Sequence, residues 1–129
     1  MTRSQWQQLV DHAVRDAPNE CCGYLRARDG RVEEITEARN ARSSPYGYEF
    51  EGSALLAVNE LDDEGWEIGV YHSHPRSPAE PSQMDLNEAG LVTYPQLIIS
   101  LGGTDRGEHI RAWLFGGGRK IEELEIVTE

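Results

Sequence analysis

Apolar residues along this chain recur with two different periods, and each period predicts a different kind of element. Trp6, Leu9, Val10, Ala13 and Val14 return three and four residues apart, which predicts an amphipathic helix over Ser4 to Arg15 with Ser4 as candidate N-cap. Pro18 ends it. Cys21 to Ala27 is a compact apolar segment of strand length, and Asp29-Gly30 is a two-residue hairpin signal leading into an antiparallel partner over Val32 to Ala38. Arg42 to Gly47, with Ser43, Ser44 and Pro45, reads as loop. Leu55, Leu56, Val58 and Leu61 predict a second helix over Gly52 to Leu61, with Gly65 past its end.

Trp66 to His74 has the character of a third strand, and Gln83 to Ala89 that of a short helix stopped by Gly90. Leu97 to Leu101 is an unbroken apolar run, which places it at the sheet centre, buried on both faces. Thr104 to Gly107 is a turn. His109 to Phe115 and Ile121 to Val127 alternate on either side of Gly116-Gly117-Gly118, so they predict a closing antiparallel pair. The sum is an α/β fold with a mixed, mostly antiparallel sheet of about six strands and about three helices. The glycine triplet lies between strands and lacks the Lys-Ser/Thr of a phosphate loop, so it reads as a turn.

Composition narrows the class. The 129 residues suit a single domain spanning 1–129. A formal charge of −11 disfavours nucleic acid and anionic lipid, which both need a basic surface. The two cysteines, Cys21 and Cys22, are adjacent and staple no loop, so reduced, buried thiols are expected. The first residues lack the apolar core of a secretory signal, and no run approaches the roughly 18 apolar residues of a membrane span. A cytoplasmic protein without membrane or nucleic-acid partners is the expectation.

The chemistry concentrates between Tyr71 and Asp85. On a strand, His72 and His74 project from one face, and Asp85 stands where a helix would begin after a proline-rich loop. Two imidazoles and a carboxylate suit catalytic zinc, which keeps its fourth position for water. The same set also serves non-haem iron(II), although the helical patterns of this chain fit poorly with the all-β folds that usually carry such sites. Ser82-Gln83-Met84-Asp85 also reads as a capping box with Ser82 as N-cap. Amide hydrolysis would need a proton carrier as well. Glu20 is a candidate among many acids because it sits at the mouth of an apolar strand. Ser82 is either a cap or a hydrogen-bond donor to a developing oxyanion. A serine nucleophile is disfavoured if both histidines hold metal. His12 and His109 receive no role and are expected at or near the surface. Tyr48 and Phe50 suit either a groove wall or the core, and Arg42 and Arg76 either a partner's acidic surface or solvent.

Glu20, His72-x-His74-Pro75 and Ser82-x-x-Asp85 together resemble the motif of the JAMM (MPN+) zinc metalloproteases, with every motif position filled. Asp16 to Gly23 is similar to the Pro-x-Glu-x-Cys-Gly opening of the prokaryotic members, and Asn40 to Pro45 with Tyr48-Glu49-Phe50 resembles their next shared segment. The resemblance implies a cytidine-deaminase-like three-layer α/β sandwich. It also implies Zn2+ on His72, His74 and Asp85 with water as fourth ligand, Glu20 as general acid/base and Ser82 as oxyanion donor. Members of this kind cleave the amide bond after the C-terminal Gly-Gly of ubiquitin or a ubiquitin-like protein. Only Leu86 to Tyr94 separates Asp85 from Pro95, so the insertion of the eukaryotic deubiquitinating members is absent. The chain resembles instead the bacterial Mec-like members, which release cysteine or another amino acid from a ubiquitin-like sulfur-carrier protein. Removal of a ubiquitin-like modifier from proteins, and a metal-bound but non-catalytic scaffold with Cys21 or Cys22 at the open position, are the alternatives. A homodimer is left open.

Overall fold

The computed structural model describes residues 1–82, 94–102, 109–115 and 121–129. Helix α1 spans Arg3–Asp16, strands β1 and β2 span Cys22–Arg28 and Arg31–Ala38, and helix α2 spans Gly52–Asp63. Strands β3 to β6 follow as Glu67–His74, Gln96–Ser100, His109–Phe115 and Ile121–Leu124. The sheet order is β2-β1-β3-β4-β5-β6, and β3 with β4 is its parallel pair while the other neighbours run antiparallel. The expected α/β class and mixed six-stranded sheet are therefore present. The helix expected over Gln83 to Ala89, the metal candidate Asp85, and the turns at Thr104 to Gly107 and Gly116 to Gly118 lie outside the described residues.

Local chemistry explains most boundaries. The β1–β2 turn places Asp29 at φ 52° and Gly30 at φ 76°, the double left-handed conformation that a two-residue hairpin of this hand requires. Helix α1 starts earlier than expected, because Thr2 rather than Ser4 caps it. The Thr2 side chain accepts from the Gln5 amide at 3.0 Å while the Gln5 side chain accepts from the Thr2 amide at 2.8 Å. This reciprocal box satisfies two amides that a helix start leaves open. The last strand is shorter than expected. Beyond Leu124 the chain leaves β5 and runs beside Met1, whose amino group donates to the Val127 carbonyl at 2.8 Å.

Alternation divides the central strands into two faces. Leu25, Tyr71, Leu97, Ile99, Ile110 and Ala112 pack with Leu9, Val10 and Ala13 of α1 to form the main core. Each of the larger aliphatic side chains among them contributes on the order of 2 kcal/mol when fully buried. β4 is buried at all five positions, as its unbroken apolar run requires of a central strand. Val14, although in phase with the apolar stripe of α1, is exposed, and so are Leu55 and Leu56 of α2, which buries only Val58. The Tyr71 ring crosses β1 directly over Gly23, where a Cβ would lie 2.4 Å from the ring. Only glycine leaves room there.

Candidate metal centre

The other face of β3 carries the two histidines. His72 and His74 are paired in register with Ile98 and Ser100 of β4, and β1 sets Cys22 beside His72. Both imidazoles are buried at the C-terminal end of the parallel pair, the end of an open α/β sheet where ligands are bound. Their Nε2 atoms lie 3.2 Å apart with ring centroids 5.0 Å apart, so the two rings converge on one point. Nδ1 of His74 lies 2.8 Å from the Pro78 carbonyl oxygen. A carbonyl only accepts, so Nδ1 carries the proton and Nε2 presents its lone pair toward His72. Orientation of a ligating imidazole by a hydrogen bond at its second nitrogen is the usual arrangement in metal sites.

Glu20 completes the cluster. One carboxylate oxygen of Glu20 and one nitrogen from each of His72 and His74 all lie within 4.8 Å of one another, and all three residues are buried. Two convergent imidazoles are donors that zinc takes, and a buried carboxylate beside them suits either a further ligand or a proton carrier, so the residues present fit the metal. The structure thus brings together three of the five residues singled out from the sequence. Ser82 is half-buried in the segment that follows β3.

That loop is pinned at successive residues. Ser77 accepts through its carbonyl from Ser100 Oγ at 2.7 Å, Pro78 from His74 Nδ1, and Ala79 from Trp113 Nε1 at 2.9 Å. Glu80 accepts from Arg111 at 3.0 Å. A segment so anchored presents Ser82 from a fixed base rather than from a free loop. Residue spacing does not reveal these anchors, because the partners of Ser77, Ala79 and Glu80 lie on β4 and β5, 23 to 34 residues further along the chain.

The remaining candidates sort by face. Tyr48 stacks on His72 with centroids 4.5 Å apart and planes at 20°, and its edge meets Phe50 at 5.8 Å. It is thus a wall of the centre. Cys21 belongs to the α1-facing core and Cys22 to the strand position beside His72; both are fully buried, and burial pushes both thiols up to about 12. Both are protonated at neutral pH, and neither belongs to the donor cluster. His12, expected near the surface, is buried: the Tyr71 hydroxyl reaches its Nδ1 at 2.7 Å after crossing Gly23. His109 is half-buried at the start of β5, as expected.

A buried cluster of two imidazoles and a carboxylate thus sits at the C-terminal end of the parallel strand pair in a mixed six-stranded α/β sheet, the architecture of a metal-dependent hydrolase domain. Residues 2–116 match the family model of prokaryotic homologs of the JAB domain, and the chain belongs to that family. It is 35% identical over 118 residues to a desampylase of Pyrococcus furiosus, covering 90% of this chain and 81% of that protein. It is 32% identical over 125 residues to the CysO-cysteine peptidase of Mycobacterium tuberculosis, covering 94% of this chain and 85% of that one. Among solved structures, a protein from Desulfitobacterium hafniense superposes with a TM-score of 0.79 at 32% identity, covering 99% of this chain and 90% of that chain.

Proposed function

We propose that this chain is a zinc-dependent peptidase that hydrolyses the amide bond after the C-terminal Gly-Gly of a ubiquitin-like sulfur-carrier protein, releasing cysteine or another amino acid. The observation that carries the reading is the convergence of the His72, His74 and Glu20 donor atoms within 4.8 Å in a buried site. His72, His74 and Asp85 would hold the metal. When bound, zinc lowers the pKa of water to roughly 7 and polarises the carbonyl under attack.

The chain's own residues supply the rest. A Glu20 carboxylate oxygen takes the proton from the attacking water and delivers it to the leaving amine nitrogen, the two halves of general acid/base catalysis. Ser82 donates its hydroxyl proton toward the oxygen that gains charge as the carbonyl is attacked. His74 is kept in its Nε2 lone-pair form by the Pro78 carbonyl. The relatives support the substrate class, since one is named for cleaving CysO-cysteine and another is a desampylase. The second of these names favours a second reading, removal of a ubiquitin-like modifier from other proteins. A carrier tail would enter extended, with glycines where its backbone passes close to the walls.

Incubation with ubiquitin-like carriers bearing one extra C-terminal residue, read by mass, tests the reading. Loss of that residue, stopped by chelator and restored by zinc, is the expected result; cleavage only of isopeptide-linked conjugates would select the second reading. Glu20→Gln is expected to lower turnover by about 10²–10⁴-fold with zinc content unchanged. Full activity in that variant removes Glu20 from the mechanism.

A further inference from the structure

Glu20 belongs to no helix or strand, yet its carboxylate must stand within reach of two strand histidines. Main-chain hydrogen bonds hold it on both sides. Its amide donates to the Ser44 carbonyl at 2.8 Å, and its carbonyl accepts from Asn40 Nδ2 at 3.0 Å. The next residue is tied to β3: the Cys21 amide donates to Ser73 Oγ at 2.8 Å, and the Ser73 amide donates to the Cys21 carbonyl at 3.1 Å. Ser73 lies between His72 and His74 and turns to the opposite face, so one residue of β3 locks the Glu20 segment while its neighbours offer the imidazoles.

Asn40 is the hub of this arrangement. Its side chain is buried, and its second Nδ2 bond goes to the Gly47 carbonyl at 3.0 Å. Oδ1 accepts from the amides of Arg42 and Glu49, both at 3.0 Å. Two donors and two acceptor sites are all that an asparagine side-chain amide offers, so every one is used and the amide has a single orientation. The loop it closes supplies Ser44, which takes the Glu20 amide, and Tyr48, which stacks on His72.

We propose that Asn40 is the positioning residue of the Glu20 carboxylate, fixing its main chain through the Nδ2 bond to the Glu20 carbonyl. The inference rests on the reading of Glu20 as proton carrier. Asn40→Ala removes all four bonds. Asn40→Asp, assayed at about pH 8 where the introduced carboxyl is ionised, keeps acceptance from Arg42 and Glu49 but cannot donate to Glu20 or Gly47. Both zinc-loaded variants are expected to lose about a hundredfold in kcat, the scale of an ångström-sized misplacement, with KM within about twofold and zinc content unchanged. In the Glu20→Gln background Asn40→Ala is expected to cost nothing further, since residues acting as one unit are not additive. Hydrogen exchange read in the metal-free protein is expected to show faster exchange at the Glu20 and Cys21 amides and wild-type protection at Ile98 and Ile99.

Wild-type kcat in Asn40→Asp, or unchanged exchange at Glu20 and Cys21, overturns the proposal. So does an equal loss in the Glu20→Gln background, or loss of protection throughout β4 in both variants. Failure of the peptidase reading would be seen separately, in a wild-type protein that cleaves no carrier, and the exchange arm still decides whether Asn40 holds Glu20.

Discussion

Three histidines are buried close to β3, and they show how one residue type serves two ends. On the α1 face, both nitrogens of His12 are served within the chain. Nδ1 meets the Tyr71 hydroxyl at 2.7 Å, while Nε2 faces Asp16 at 3.3 Å and Glu37 at 3.8 Å. Burial raises the Tyr71 pKa far above its ordinary value, so the phenol is the donor and His12 Nδ1 the acceptor. On the opposite face, His72 and His74 turn their Nε2 atoms toward each other at 3.2 Å beside a buried carboxylate. The first arrangement ties elements together, whereas a pair of imidazoles converging beside a carboxylate has the geometry of a metal site.

Substitutions on each face should break this contrast in opposite ways. The largest effect belongs to His72→Ala, which is expected to abolish zinc binding and carrier cleavage while the apo fold persists; a variant that retains stoichiometric zinc by metal analysis would remove His72 from the ligand set. Ser82→Ala comes next. As an oxyanion donor it is expected to cost about a hundredfold in kcat with unfolding unchanged, whereas a cap alone would cost about 1 kcal/mol in urea unfolding and leave turnover intact.

On the α1 face the effects are on stability. His12→Ala leaves the buried Tyr71 hydroxyl without its acceptor and is expected to cost about 1–3 kcal/mol in urea unfolding, with zinc content and kcat near wild type. Loss of zinc in this variant would mean that the two faces do not act independently. The smallest effect is in pH dependence. Burial lowers the His12 pKa and outweighs the carboxylates of Glu37 and Asp16, which raise it. The folded value lies below the unfolded 6.5, so the unfolded chain binds the proton more readily. Stability contributed by neutral His12 is therefore present above about 6.5 and lost as pH falls from there through the folded value. Urea titrations of wild type and His12→Ala should diverge in slope over that interval; parallel curves would contradict the shift.

Much of this was legible in the spacing of residues. The Asp29-Gly30 hairpin, the central β4 run and the His72-x-His74 pair each follow from periods of two or from backbone demands that few residues meet. The Thr2 cap was legible too, as a Thr-x-x-Gln box two residues ahead of the site favoured by apolar periodicity. His12 was not. Its burial depends on a tyrosine 59 residues away passing over a strand position that happens to be glycine.

Asn40 shows the same limit more sharply. It opens a segment that resembles one shared by the prokaryotic family members, yet no spacing gives it a role, because its four partners are main-chain groups, and every residue type carries those. Short-range pattern sufficed for the elements and for two of the donors, since strand alternation is a local property of the chain. The place of Glu20 beside them, the pinned loop beneath Ser82 and the division of β3 into a structural and a chemical face required folding. They rest on hydrogen bonds and register between segments distant in sequence, which no local spacing encodes.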